Sequence, residues 1–352
     1  MNFDVLIIGQ GICGTFLSWY LQQEGKTCLV IDNYDSNASS RIAAGVINPV
    51  TGRRLVTVWM VDEVIPYAWK AYTEIGQYLG ISAISQKNII DFFPNPFMRE
   101  GFLQKIETGD PYVHAYPEQN HFNSFFNYDL GCGEIRPVFT AHPERLLPAW
   151  REELKKTGAL MEDVFDISDL NVEHDRIKYK NITAERIIFC DGTASFENPF
   201  FKQLPFAPNK GESLVVEIPG LPDHNVYKKS MMMVPLAEKD IFWVGASYIW
   251  DFDNADPTPE FREKTEKVLK EWLKIPFRVV EHRSGLRPAT LERRPFAGFH
   301  PTHPAVGILN GMGTKGYSLA PYFARQLVDN LYNGKTITPE ADVCRFRKIL
   351  TR

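Results

Sequence analysis

The chain has 352 residues, with 39 Lys and Arg against 43 Asp and Glu and a formal net charge of −4, a balance that gives no general attraction for nucleic acid or an anionic membrane. It exceeds the roughly 250 to 300 residues at which single cores stop growing, so two units, or one with an insertion, are expected. Five scattered cysteines, Cys13, Cys28, Cys132, Cys190 and Cys344, include no CxxC pair; they read as small buried thiols, not as a disulfide or zinc framework, and no metal site is expected.

The apolar run near Met1 is too short to span a membrane and lacks a basic n-region and a small-residue cleavage site, so the expected location is the cytoplasm. Asp4 to Ile8 is a β-branched, apolar run typical of a buried parallel strand. Gly9-Gln10-Gly11-Ile12-Cys13-Gly14 follows without a spacer, and Ile12, Phe16, Tyr20 and Leu21 fall at helical spacing up to a C-cap at Gly25. A second strand, Thr27 to Ile31, ends on Asp32, with Asn33 after it. This is the strand, glycine turn and helix that hold a dinucleotide. Gly9 permits the sharp turn, Gly11 admits a pyrophosphate to the backbone, Gly14 lets helix and strand pack, and the free amides of the helix N-terminus, including those of Ile12 and Cys13, face the phosphates. Asp32 is placed to accept hydrogen bonds from ribose hydroxyls, which disfavours a 2′-phosphate and leaves NAD and FAD.

After a polar turn, Ser40 to Arg54 is rich in small residues: Ala43, Ala44 and Gly45 would let backbone pass close to a flat ligand, and Ser40 and Arg41 could reach phosphate or ring edge. Val61 to Leu79 reads as a helix. Ser82 to Cys132 is aromatic-rich without a long helical period, which suggests a sheet-containing insertion whose phenylalanines form core. Thr140 to Gly158 returns to a helix, and short strands follow at Ala159 to Phe165, Arg176 to Tyr179 and Arg186 to Cys190, the last entering Asp191-Gly192-Thr193.

Strands at Ser213 to Ile218, Ser230 to Leu236 and Ile241 to Ala246, and a helix opened by Thr258-Pro259, make a second excursion. Tyr227, Met232 and Tyr248 lie where they could face a substrate, and His282 reads as a packed or surface histidine. The tail runs from strand Val306 to Leu309 through Gly311-Met312-Gly313-Thr314-Lys315-Gly316 into a final helix. A second glycine turn between strand and helix implies a long ligand gripped from both ends of the chain.

With GQGICG and Asp32, the Ala43-Ala44-Gly45 loop, FCDGTAS at Phe189 to Ser195, Gly285-Leu286-Arg287-Pro288 with Arg293 to Gly298, and Gly313 to Pro321 in this order, the chain resembles the FAD-dependent D-amino acid oxidase, glycine oxidase and sarcosine oxidase family along essentially its whole length. The resemblance implies an α/β fold in which a Rossmann-like FAD-binding domain (1–80, 136–208 and 283–352) is interleaved with a mixed β-sheet substrate-binding domain (81–135 and 209–282). It implies FAD, assumed non-covalent, and oxidation of the C–N bond of a small amine or amino acid by hydride transfer to flavin N5. Gly9, Gly11, Gly14 and Asp32 match the family's ADP-binding positions; Ser40, Arg41, Ala44 and Gly45 match the loop that passes phosphate and flavin. Val164 matches the position whose backbone meets the adenine, and Cys190 and Gly192 belong to the turn near the ribityl chain. Arg287 corresponds to the arginine that holds the substrate carboxylate. Gly313, Thr314, Lys315, Gly316, Tyr317 and Ser318 match the segment whose amides face the flavin N1/C2=O edge, where Lys315 or the helix N-terminus would stabilise the anionic reduced flavin.

Glycine oxidases carry an arginine where this chain has Thr314, and sarcosine oxidases a lysine nearer Ser318 than Lys315, so neither substrate is implied. Gly313 to Gly316 with Ala320-Pro321, and Lys210-Gly211-Glu212, are also similar to the FAD domain of the enzyme that matures the wobble uridine of tRNA by removing a carboxymethyl group, although the acidic balance gives no footprint for RNA phosphates. Two alternatives therefore stand beside a small-molecule oxidoreductase: an RNA-modifying flavoenzyme of that kind, and a flavin-binding protein without turnover. The electron acceptor, oxygen or another, is left open.

Overall fold

In the computed structural model, which describes residues 1–351, the first strand, β1 (Asn2–Ile8), lies between two parallel neighbours. On one side is β2 (Cys28–Ile31), in register from Val5↔Cys28 to Ile8↔Ile31; on the other is strand Ile182–Phe189, from Asn2↔Thr183 to Ile8↔Phe189. Val5 to Ile8 are buried, as their unbroken apolar run demands of a parallel strand covered on both faces. Leu160–Met161 extends this eight-stranded sheet beyond β2. Past Ile182–Phe189 it forks, into an antiparallel pair (Ile177–Tyr179 and Leu170–Val172) and a parallel strand, Val306–Asn310, which carries Phe296–Phe299.

One face of the sheet is covered by helix α1 (Ile12–Gln23) and by helices Val61–Leu79, Pro143–Lys156 and Gly316–Asn333, whose apolar sides share one core with β1. The C-terminal helix therefore packs beside the N-terminal one, which brings both glycine turns to the same edge.

A second eight-stranded sheet runs in the order Arg278–Arg287, Asn209–Glu217, Ile241–Gly245, Met232–Pro235, Val226–Lys228, Ile89–Phe92, Cys132–Ile135, Val113–Ala115. It is mixed, since Val226–Lys228 pairs with Ile89–Phe92 in parallel and the other pairs are antiparallel. Helix Pro259–Trp272 closes one face, its Trp272 packed on Phe92 and Phe126 beside Phe122, so the aromatic concentration is core apart from Phe97, which is exposed. The mixed α/β class expected from the sequence is the one found. Among the described residues, no helix is long and apolar enough to cross a membrane.

Cys344, read with the others as a buried thiol, is exposed, and three further expectations are corrected. The aromatic insertion contains a helix, Pro96–Glu107, capped by the Asn95 side chain on the Met98 amide (2.9 Å) with Pro at its start; it buries only Phe102, so it shows no amphipathic period. The helix expected from Thr140 begins at Pro143, because Phe139–Ala141 forms a strand between Val46–Ile47 and Ile84–Gln86. Tyr227 cannot meet a substrate: it is fully buried against Phe122 and Phe126, and its hydroxyl donates to the Pro222 carbonyl at 2.8 Å.

Candidate active site

The first glycine turn is fixed by backbone contact. Gly9 has φ +99°, and a Cβ there would stand 2.6 Å from the Cys190 carbonyl oxygen; one on Gly14 would stand 1.9 Å from the Gly9 carbonyl oxygen. Gly11, by contrast, faces only Ser40, whose Oγ would be 3.1 Å from a Cβ. The helix behind it has no side-chain cap at Gly11 and no acid in its first turn, and among its first amides that of Ile12 donates to Ser40 Oγ at 3.1 Å. A bare, uncapped helix N-terminus beside a glycine is the arrangement that receives a phosphate.

Asp32 closes the β2 side. Its Oδ2 accepts the Gln10 amide at 2.8 Å, and its Oδ1 accepts the Tyr34 amide at 3.0 Å and Arg151 Nη1 at 2.6 Å. Arg41 Nη2 lies 3.9 Å from the same carboxylate. The Tyr34 ring covers both guanidinium groups, 4.3 Å from Arg41 and 5.2 Å from Arg151. Asp32 thus holds the glycine turn and sits against two arginines, in addition to any hydroxyl it accepts. Neither Arg151 nor Tyr34 stands out in the sequence, because the pattern marks the acid and says nothing of what packs around it.

Between the two sheets lies a cleft of about 370 Å³. Gly11, Ile12, Cys13, Ser40, Ala44, Gly45, Cys190, Gly192, Arg287, Gly313, Thr314, Lys315, Gly316 and Tyr317 all line it. The other candidates stand behind or outside that lining. Gly9 and Gly14 are packing positions; Asp32, exposed Asn33 and Arg41 do not line it; Ser318 is turned back, its hydroxyl donating to the Lys315 carbonyl at 3.0 Å. Val164 is exposed, and its amide donates to Asp163 Oδ1 at 2.8 Å.

Several contacts hold the walls in place. Asn310 Nδ2 donates to the Gly192 carbonyl at 2.8 Å and Ser195 Oγ at 2.9 Å, Tyr72 Oη donates to the Tyr317 carbonyl at 3.0 Å, and the Tyr317 hydroxyl donates to the Ser40 carbonyl. Trp243 Nε1 donates to the Ile42 carbonyl at 3.0 Å, which joins the second sheet to the small-residue loop. Burial pushes the Cys13 thiol up to about 12, and that of Cys190 upward as well, so both are protonated packing groups.

Arg287, at the end of strand Arg278–Arg287, enters the cleft from the second sheet. Its Nη1 donates to Asn209 Oδ1 at 2.6 Å, and both terminal nitrogens reach the Ser247 carbonyl at 3.2 Å. The guanidinium rests on Gly211, and the Tyr248 ring centre is 5.2 Å away. Its partners are neutral; burial lowers its pKa, opposed by Tyr248. Nε and the remaining Nη2 proton are left for a carboxylate, the geometry a guanidinium fork serves. Lys315, on the second glycine turn, donates to Asn48 Oδ1 at 2.9 Å, and burial pushes its pKa down to about 8. Met232 and Tyr248 line the cleft as expected. Asn209, Gly211, Ser247, Asn48 and Trp243 were not anticipated as site residues, since each acts through a neighbour distant in sequence.

Residues 4–330 match the family described as FAD dependent oxidoreductase (DAO). The chain is 23% identical to the glycine oxidase of Bacillus subtilis (strain 168) over 355 residues, covering 94% of each. Among solved structures it is similar to iminodiacetate oxidase from Chelativorans sp. BNC1 (TM-score 0.77, 19% identity, 96% of this chain and 97% of that one). It is similar also to glycine oxidase from Geobacillus kaustophilus (TM-score 0.77, 18% identity, 96% of each chain). At these identities the structural likeness speaks for the fold. The uncapped helix end beside Gly11, the acid at Asp32 and the second glycine turn next to the first fit a dinucleotide bearing a flat ring.

Proposed function

Because the chain belongs to the DAO family of FAD-dependent oxidoreductases, we propose that it oxidises the C–N bond of a small amine that carries a carboxylate. The observation that carries this reading is Arg287, a partly buried guanidinium lining the cleft with neutral partners only. A charge withdrawn from water without a counterion is costly, and a substrate carboxylate supplies one. The names of the similar proteins, glycine oxidase and iminodiacetate oxidase, agree with a carboxylated amine.

Bound in this cleft, FAD would supply a two-electron acceptor for the hydride on the carbon that bears the amine, the amine lone pair forming the C=N bond of the imine product. We assign the amides of Gly11 to Gly14 and Asp32 to its ADP half, and the segment Gly313 to Ser318 to the flavin edge. The chain's own contribution is position. Arg287 fixes the carboxylate, and Tyr248 and Met232 bound the substrate. Glu212, the one carboxylate among the lining residues, is saturated: it accepts the Thr258 amide (2.7 Å) and hydroxyl (2.9 Å), and His282 Nε2 lies 3.0 Å from it. No free carboxylate therefore faces the cleft as a base, which suits an amine that binds unprotonated. We read 81–135 and 209–282 as the substrate-binding unit and the remainder as the FAD-binding unit. The test is an anaerobic screen of D-amino acids, glycine, N-methyl and N-carboxymethyl amines for flavin bleaching, in which carboxylated amines reduce the flavin and matched amines without the carboxylate do not.

A further inference from the structure

Arg287 stands at the inner end of a short row of rings. Both of its terminal nitrogens reach the Ser247 carbonyl, and the ring of the next residue, Tyr248, is centred 5.2 Å from its Cζ. Trp250 continues the row, its ring 5.3 Å from that of Tyr248 and edge-on to it at 70°. Tyr248 lines the cleft and Trp250 does not, and the two are 52% and 53% exposed. A cofactor seated in the cleft therefore leaves the indole bare. Two large aromatic side chains held together in water mark a surface that a ligand covers.

The pair is firmly mounted. Between the two rings, Ile249 exchanges two backbone bonds with Lys210 (2.9 and 3.0 Å), and Asn209 Nδ2 donates to the Ile249 carbonyl at 2.9 Å. Farther along the same loop, Glu212 accepts the Thr258 amide at 2.7 Å and its hydroxyl at 2.9 Å. Strand Asn209–Glu217 thus fixes the guanidinium and the aromatic loop alike, so a ligand meets both rings without first ordering them. Asp251 and Asp253, just beyond Trp250, are exposed acids; they disfavour a second carboxylate at this place and leave a neutral ring as the group that fits.

We propose that the amine oxidised here carries an aromatic substituent, which packs on Tyr248 and Trp250 while its carboxylate is held by Arg287. This rests on the assignment of Arg287 to a substrate carboxylate. The successive steps of 5.2 and 5.3 Å set the length: a ring a few bonds from the carboxylate reaches Tyr248 and the edge of Trp250, and a glycine-sized acid does not. Trp250, outside the cleft lining, becomes the residue that separates aromatic from small carboxylated amines.

The test uses acids that lack the amine and cannot be oxidised, so that binding is read apart from turnover. Propanoate, 3-phenylpropanoate and 3-cyclohexylpropanoate are each titrated, by calorimetry and by perturbation of the flavin spectrum, into the FAD-loaded wild type, Trp250→Ala, Trp250→Phe and Arg287→Gln. Wild type binds 3-phenylpropanoate about tenfold or more tighter than propanoate, and about threefold tighter than the saturated ring, the return for one aromatic pair beyond its buried area. Trp250→Ala lowers the phenyl preference about fivefold, Trp250→Phe keeps most of it, and Arg287→Gln weakens all three acids. Arg287-dependent binding with no preference for the phenyl acid over propanoate, a preference that survives Trp250→Ala, or equal binding of the two rings overturns the aromatic assignment and leaves the carboxylate reading intact. Binding that is indifferent to Arg287, or no binding of any of the three, overturns both.

Discussion

The guanidinium of Arg287 lies over Gly211: a Cβ built on that glycine would stand 2.0 Å from Nη2 and 2.2 Å from Cζ. Strand Asn209–Glu217 thus gives the arginine a floor made of backbone, with Asn209 at its edge. The atoms in conflict are the far end of a flexible side chain, so a methyl group there moves the arginine and not the sheet. Gly211→Ala is expected to retain FAD and a near-normal melting temperature, while kcat/KM for a carboxylated amine falls about tenfold or more. In a double mutant with Arg287→Ala the added loss should vanish, since both changes remove one interaction. Thermal melts and anaerobic flavin reduction check both parts.

Gly14 is the opposite case, because a Cβ there meets backbone, 1.9 Å from the Gly9 carbonyl oxygen. Gly14→Ala should shift the helix off the turn, lowering stability by several kcal/mol and FAD affinity with it. Gly101→Ala serves as the control: a Cβ there meets nothing within 4 Å, and the site lies inside helix Pro96–Glu107. It should be neutral or stabilising by up to about 1 kcal/mol. Urea unfolding with and without added FAD separates the two.

Removing the Asp32 side chain leaves Arg151, whose side chain is 5% exposed, with Glu162 as its remaining charged partner at 2.9 Å. It also frees the Gln10 amide. Asp32→Ala is expected to cost about 3 kcal/mol even without cofactor. A larger loss with FAD present would report the ribose contact; equal losses would mean that Asp32 serves the fold alone.

Lys315 gives a pH dependence with a definite sign. Burial lowers its pKa from 10.5 to about 8, so between these values the unfolded chain binds more protons than the folded one. The penalty for burying the ammonium is in full force below pH 8, and stability rises as pH increases from about 8 towards 10.5. Urea unfolding of the FAD-free protein across this range should show the rise in wild type, and Lys315→Met should lack it.

How far the sequence predicts the molecule depends on whether the determining contact is local. Gly9, Gly11, Gly14 and Asp32 were legible because turn, helix end and strand end fall within one short stretch whose glycines have separate jobs. The cleft-lining Gly313 to Tyr317 followed from the same grammar at the other end of the chain. Helix Pro96–Glu107 escaped because it buries little beyond Phe102, so periodicity carried no signal; Asn95-Pro96, a cap followed by Pro, was the clue. Tyr227 was misread because a three-residue strand does not reveal which face its middle residue takes. Gly211 and Asn209 reach Arg287 across a sheet register, Asn209↔Arg287, that pairs residues 78 apart and leaves no trace in local pattern.

The role proposed for Arg287 is to draw a carboxylated amine to the bound flavin. Anaerobic flavin reduction with a substrate found in the screen and with the same amine lacking its carboxylate, in wild type and Arg287→Ala, isolates that role. Rapid bleaching by the acid alone is expected in wild type, slowed on the order of a hundredfold or more in kcat/KM by the substitution. Equal reduction by both amines, or a rate for the acid untouched by loss of Arg287, would contradict it.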